Sequence, residues 1–464
     1  MDLIEKTFHT IRKYSMLAGR DGVLAALSGG ADSVCLLTIL CGLRERLDIN
    51  IHAAYIDHGL RPDETPAEIS FCRDLCGSLK VPFSSKSIDV KAFAAEHGMN
   101  KQEAARELRY KALEDTALTV GAARIALGHT ADDQAETVIM RLFAGSGTLG
   151  LSGIPPVRKN IIRPLISVTR KEIEGFLDAA HIGFITDSSN LKDKYMRNRV
   201  RQSVMPALKA LAPDAVRTIA RTADILREED LYLENQVTKI LMKLISRKSD
   251  TSIELFVTPL EKIERPLARR VLRRAVSAVK GLRGISFSHI EAMLDLMKAG
   301  RAGDRTCLPQ GIRAIKGYST FIITCDSPQR LDSYIVKGPG DVVINEASIV
   351  LTCAYIDAAN ADNGQFNCDG KKLAVFDTAK LHFPLTVRSR KPGDAFFPSG
   401  FGKKKKLQDY FVDEKVPRDI RDSVPLLIND EEIVWVIGYR ADARFIIDKN
   451  TVNALKFEIT LLNK

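Results

Sequence analysis

Three short clusters carry residue types and spacings that could do chemistry. The first is Ser28-Gly29-Gly30-Ala31-Asp32-Ser33. It lies between the apolar run Val23–Leu27, which reads as a buried parallel strand, and the run Val34–Leu43, which reads as a helix. A small glycine-rich turn there lets backbone N–H groups approach phosphate oxygens, and the helix N-terminus adds partial positive charge. A plain helix start would need only Asp32 or Ser33 as cap. Serine before two glycines and Asp-Ser after them exceed that need.

The second cluster is Gly128-His129-Thr130-Ala131-Asp132-Asp133-Gln134-Ala135-Glu136-Thr137. On a helix, Asp133 and Glu136 are three apart and Asp132 and Glu136 four apart, so carboxylates share a face. Such a pair can hold magnesium, hold an ammonium group or take a proton. A capping box at a helix start accounts for part of the same pattern. The third cluster, Asn100 to Tyr110, sets Arg106, Arg109 and Tyr110 along one helical stripe. Arginine suits planar or phosphate recognition, although a solvated helix face looks similar.

These clusters need a scaffold. Up to about residue 185, apolar strands alternate with longer helical patterns. The strands are expected at Val23–Leu27, Ile51–Ile56, Phe83–Ile88, Arg124–Leu127 and Asn160–Ile166. The helices are expected at Asp32–Arg46, Pro62–Leu79, Lys101–Leu118 and Asp132–Phe143. That alternation predicts an α/β domain, a doubly wound parallel sheet with helices on both faces. Ligands bind at the carboxyl ends of such strands, so the loops at Ser28, at Asp57-His58-Gly59 and at Gly128-His129 should line one crevice.

From about Val200 to Arg301 the pattern is almost wholly helical and charge-rich. After it strands dominate, at Thr320–Thr324, Ser348–Cys353, Leu373–Phe376, Leu385–Arg388 and Ile433–Gly438. The expected division is 1–215, a helical middle domain 216–345, and a small α+β C-terminal domain 346–464. The chain has 464 residues, enough for two or three domains, and its net charge of +10 suits an anionic macromolecule. No apolar run reaches membrane-spanning length, and the N-terminus lacks the apolar stretch of a signal peptide. The eight cysteines form no CxxC, and Cys72 and Cys76 fit core packing. A reduced, cytoplasmic protein is expected.

The Ser28–Ser33 stretch resembles the SGGxDS signature of the PP-loop ATP-pyrophosphatase family. The likeness becomes specific when the other motifs are read in order: His58-Gly59-Leu60-Arg61, the second and third clusters, Arg141–Gly147, Gly150–Pro156, Arg163-Pro164-Leu165, Asp187-Ser188-Ser189-Asn190 and Arg197-Asn198-Arg199-Val200-Arg201. In the tail, Arg390-Lys391-Pro392-Gly393-Asp394, the run Lys403–Lys406, Asp413–Arg418 and Trp435–Gly438 continue it. Together these resemble the tRNA(Ile)-lysidine synthetase family.

The resemblance implies an ATP-dependent ligase. It joins free L-lysine to the wobble cytidine of an isoleucine tRNA with a CAU anticodon, and releases AMP and pyrophosphate. The product, lysidine, pairs with A rather than G, which gives the tRNA isoleucine identity. ATP would sit on Ser28, Gly29, Gly30, Ala31, Asp32 and Ser33, with Mg2+ near Asp32. The family places Arg109, Asp133 and Glu136 at catalytic positions, the two carboxylates also binding lysine, with His129 beside them. Arg197, Arg199 and Arg201 lie in the segment similar to the family's substrate-binding loop.

Further basic patches suit a tRNA body. Arg269/Arg273 and Arg270/Arg274 form two rows on one helix, and Lys404 and Lys405 centre the tail's lysine run. Each patch alone also fits a solvated face. Trp435 fits a core. The sequence does not specify the oligomeric state; a homodimer is one arrangement open to it. A tRNA thiolation enzyme would call for reactive cysteines, a small-molecule amidotransferase-linked synthetase would not need a basic tail, and a non-enzymatic RNA binder would leave the first two clusters without purpose.

Overall fold

The sheet that carries the first two clusters is built from strands too apolar to face water. In β1 (Gly22–Ala26), Val23, Leu24 and Ala25 are all buried. A strand covered on both faces belongs at the centre of a parallel sheet. It pairs in parallel with β2 (Asn50–Asp57) on one side and with β4 (Arg124–Ala126) on the other. With β3 (Phe83–Ser87), β5 (Val157–Arg158) and β6 (Ile161–Ile162) the order is β3-β2-β1-β4-β6-β5. All neighbours are parallel except β5 and β6, which form an antiparallel edge. We describe a computed structural model covering residues 2–59, 63–185, 196–327, 330–357 and 371–462; Gln102 and Asp419 are described by their backbone alone.

The expected doubly wound fold is therefore present. The chain order reverses on the two sides of β1, so the crevice opens above β1 and β4. The helix Ala31–Gly42 leaves β1 with eight buried residues and packs under the sheet as a core helix. Truncating one of them, Leu37, to alanine would cost about 2–5 kcal/mol. The helix Lys101–Thr119 starts at Asn100, whose side chain accepts from the Glu103 N–H. The helix Ala131–Phe143 starts at Thr130. One strand is much shorter than expected. The apolar run 160–166 yields only Ile161–Ile162, since Pro164 has no N–H for a ladder and the Arg163 carbonyl accepts from the Ile166 N–H in a turn.

The chain divides into two compact units, Met1–Leu233 and Glu234–Lys464. The boundary falls within the helix Ala215–Leu244. The second unit holds the helices Arg265–Lys280 and Phe287–Ala299, as the middle pattern predicted. It also holds a five-stranded antiparallel sheet to which Ile245–Lys248 and Ser252–Phe256 contribute. These two strands lie where helix was expected. In the second, Ile253 and Leu255 are buried while Ser252, Glu254 and Phe256 are not, a period of two inside a charge-rich stretch. Further on, five- and four-stranded antiparallel sheets enclose separate cores around Trp435, Phe376 and Phe457, and around Tyr410 and Phe411. Trp435 is fully buried, as expected of a core residue. Cys72 and Cys76 are buried and unbridged.

Candidate active site

The loop after β1 is shaped by its own hydroxyls. The Ser28 N–H donates to Ser33 Oγ at 3.1 Å, and Ser33 Oγ donates to the Gly30 carbonyl at 2.9 Å. Gly29 has a φ of 78°, a conformation that favours glycine. Gly30 caps the helix Ala31–Gly42 without any side-chain hydrogen bond; the Ser33 N–H donates to the Gly30 carbonyl, which leaves the N–H groups of the two residues before it to a ligand. A Cβ on Gly128 would lie 3.0 Å from the Asp32 carbonyl oxygen, so only glycine lets the β1 and β4 loops close on each other this tightly. This cradle fits a polyphosphate.

Asp32 faces the crevice. Its Oδ2 lies 3.5 Å from Arg170 Nη1, while its Oδ1 is buried without a hydrogen-bond partner. Burial, and secondarily Asp133 and Asp132, push its carboxyl up to about 6 against the pull of Arg170. A buried, unpartnered carboxylate oxygen suits a cation. Among the described residues no group of three or more His, Cys, Asp or Glu could hold a metal ion. The donor set therefore fits magnesium carried largely by phosphates and water, with Asp32 as one ligand.

The helix Ala131–Phe143 presents its carboxylates as the spacing predicted. Asp133 has two roles. Its Oδ2 accepts from the Thr130 N–H at 2.9 Å and completes a capping box, while its Oδ1 accepts from Arg197 Nη2 at 2.7 Å. Glu136 is buried, with both oxygens held by arginine: Arg197 Nε at 2.9 Å, Arg201 Nε at 2.6 Å and Arg201 Nη2 at 3.1 Å. Asp132 is structural. It accepts from the Arg170 N–H at 2.8 Å and from Lys209 Nζ at 2.9 Å.

Beside these carboxylates stand arginines without acidic partners. Arg106, Arg109 and Arg163 meet no carboxylate among the described residues, and Arg109 Nε is buried without a partner. Burial above all disfavours the charge on Arg109. The helix Lys101–Thr119 contributes Arg106 and Arg109, whose guanidinium groups lie 5.5 and 5.8 Å from the Tyr110 ring centre. Arg163 comes from the end of β6 and donates through Nε to His129 Nδ1 at 3.2 Å. Arginines with no acidic partner, set beside a carboxylate pair, are suited to an anion.

Other motifs turn out to be supports. Gln134 and Arg141 bind the turn 150–154: the Gln134 side chain meets the Ile154 N–H at 2.5 Å, and Arg141 donates to the Gly150 and Gly153 carbonyls at 2.7 Å. Asp187 to Asn190, Leu60 and Arg61 lie outside the described residues. In the sequence Arg163 stands out only within the Arg163-Pro164-Leu165 motif, with no role attached, and Arg170 carries no signal of its own.

The basic residues expected to bind RNA divide by their partners. Arg199 is exposed and unpaired among the described residues. Arg197 and Arg201 are engaged by the carboxylates. Arg270 Nη1 pairs with Glu234 Oε1 at 2.8 Å, and Arg274 pairs with the other oxygen of Glu234. Lys404 is exposed in a loop, whereas Lys405 belongs to a short strand, pairs with Asp413 and lies over the Phe401 ring. Burial disfavours thiolates near the loop: it pushes Cys35 and Cys72 up to about 12, and Cys76 up to about 11.

The chain matches the PP-loop domain over residues 3–208, the TilS substrate binding domain over 255–317 and the TilS substrate C-terminal domain over 385–457. It is 34% identical over 462 residues to a tRNA(Ile)-lysidine synthase of Caldanaerobacter subterraneus subsp. tengcongensis, spanning 99% of this chain and 98% of that protein. A tRNA(Ile)-lysidine synthase of Dehalococcoides mccartyi is 33% identical over 99% of this chain and 100% of its own length. One from Symbiobacterium thermophilum is 35% identical over 99% and 98%. With a phosphate cradle, a carboxylate pair and an arginine cluster on one sheet edge, and with relatives of this similarity along nearly its whole length, the chain belongs to the tRNA(Ile)-lysidine synthase family.

Proposed function

We propose that this protein uses ATP to join the side-chain amine of free lysine to the wobble cytidine of an isoleucine tRNA with a CAU anticodon. The observation that carries this reading is the juxtaposition of Asp133 and Glu136 with Arg109 and the Ser28–Ser33 loop. An ammonium site and a phosphate site share one crevice.

The chemistry requires both. The ring carbonyl oxygen of cytidine is a poor leaving group. Attack of that oxygen on the α-phosphate of ATP releases pyrophosphate and leaves AMP on the base. The lysine amine then attacks the ring carbon, and AMP departs with the oxygen. The Ser28–Ser33 backbone and Arg109 stabilise charge that builds on the phosphates. Magnesium, when bound at Asp32, would neutralise phosphate charge. A free lysine amine has a pKa near ~10.4, so deprotonating it at pH 7 costs roughly 4–5 kcal/mol. Glu136 and Asp133 offset this by holding the ammonium and accepting its proton.

In the free protein Arg197 and Arg201 occupy those carboxylates. Lysine therefore enters as they withdraw, and tRNA phosphates are the anions that can draw them away. Residues 216–345 and 346–464 are proposed as two tRNA-binding domains, and Arg199 and Lys404 as phosphate contacts. Among the described residues no helix is long and apolar enough to cross a membrane. The described cysteines are free, which agrees with a cytoplasmic setting.

The test is incubation with labelled lysine, ATP and bulk tRNA. Label should enter RNA only with ATP present, and only in the CAU isoleucine species. Lysine left free, or label entering RNA without ATP, would reject the reading.

A further inference from the structure

We infer that Arg163 is a positioning residue for His129: by donating to Nδ1 it keeps the ring proton on Nε2 and makes His129 a hydrogen-bond donor in the crevice rather than a base.

The placement follows from the sheet. β4 and β6 are parallel neighbours, with Ile125 opposite Ile161 and Ala126 opposite Ile162. Their extensions at the carboxyl edge, Leu127 to His129 and Arg163, therefore lie side by side. The Leu127 N–H still donates to the Ile162 carbonyl at 3.0 Å. Arg163 is 2% exposed, and its Nη1 is fixed on the Pro155 carbonyl at 2.7 Å. Its Nε then points at His129 Nδ1 from 3.2 Å.

Every guanidinium nitrogen is a donor and none can accept, so His129 Nδ1 must supply a lone pair. The one proton of the neutral ring then sits on Nε2, which makes no hydrogen bond among the described residues. No lone pair is left to take a proton from lysine. Burial, and then Arg163, Arg109, Arg197 and Arg106, further oppose a charged ring. These arginines reach it from the helix Lys101–Thr119, from the end of β6 and from the segment after residue 195. Arg163 meets no carboxylate that would draw it off Nδ1. An Nε2–H among arginines suits an oxygen of a phosphate or a pyrimidine ring; that choice of partner rests on the function proposed above, whereas the tautomer does not.

The experiment is nitrogen NMR of the full chain labelled at histidine, with the His129→Gln spectrum identifying the His129 signals among the eight histidines. His129 should show a bare Nδ1 and a protonated Nε2, unchanged between about pH 5 and 8. In Arg163→Met the ring should stay neutral but lose its tautomer preference, with the proton shared between Nδ1 and Nε2, which the two nitrogen shifts read directly. A wild-type ring that titrates, a proton on Nδ1, or an Arg163→Met ring identical to the parent overturns the inference. Should Arg163→Met not fold, the wild-type spectrum decides alone. Loss of the ligase reading would leave that spectrum as it is, so the two failures are separable.

Discussion

Arg201 grips Glu136 through both carboxylate oxygens, Nε to Oε1 at 2.6 Å and Nη2 to Oε2 at 3.1 Å. A residue expected to touch RNA thus sits on the residue expected to hold lysine. On the function proposed above, these guanidinium groups lie where the lysine ammonium would be held, and the substrate amine must compete with them.

Glu136→Gln keeps the shape and removes the charge and the base. Adenylated tRNA should still form, but its transfer to lysine should slow by roughly 100-fold or more. The single-turnover rate at limiting lysine measures this. An unchanged rate would deny Glu136 the role. The same substitution leaves Arg197 and Arg201 short of a partner, so a stability loss of about 1–3 kcal/mol should accompany it.

Asp32 gives a pH signature. Its carboxyl is raised from 3.8 to about 6 in the folded protein. The folded state therefore binds the proton more tightly than the unfolded state does. Ionised Asp32 lowers stability, and the penalty grows as pH rises from about 4 to about 6 and is constant above that. Asp32→Asn should stabilise the ligand-free protein above about pH 6, on the order of 1–3 kcal/mol, and leave it unchanged below about pH 4. Thermal unfolding at the two pH values tests this. Asp32→Ala should abolish adenylation and leave tRNA affinity nearly intact; AMP formation at a near-normal rate would contradict its phosphate-side role.

The scaffold was legible because β1 is apolar on both faces and the loops that follow β1 and β4 carry their motifs at the strand ends. The carboxylate face was legible for the same reason, since Asp133 and Glu136 are one helical turn apart. Partners were not legible. That Arg197 and Arg201 return to that helix, from more than sixty positions away in the chain, is set by tertiary packing. Nothing near Arg270 in sequence says that Glu234 will neutralise it. The strand Ser252–Phe256 was hidden because its period of two is short and surrounded by helical charge patterning. Arg163 was legible only as part of the Arg163-Pro164-Leu165 motif; its contact with His129 was not, because β4 and β6 bring the two together from 34 positions apart.

The basic residues should sort by these partners. Lys404→Ala and Arg199→Ala should each weaken tRNA binding and reduce the salt slope by roughly 0.7–0.9. Lys405→Ala should act mainly through the fold of its loop, because Lys405 is paired with Asp413 and packed on Phe401. Arg270→Ala should cost ~1 kcal/mol of stability, since it breaks the pair with Glu234. Binding titrations across salt concentrations, read beside thermal melts, distinguish the groups. Equal salt slopes for all four variants would contradict this sorting.

The central claim is that ATP activates the tRNA base before lysine attacks it. The most direct measurement follows label from the α-phosphate of ATP in a single turnover on the CAU isoleucine tRNA, with and without lysine. Label should enter the tRNA without lysine, leave as AMP when lysine is added, and accumulate on the tRNA in Glu136→Gln even with lysine present. Label that never enters the tRNA, or that leaves the wild-type complex at the same rate with and without lysine, would contradict the account.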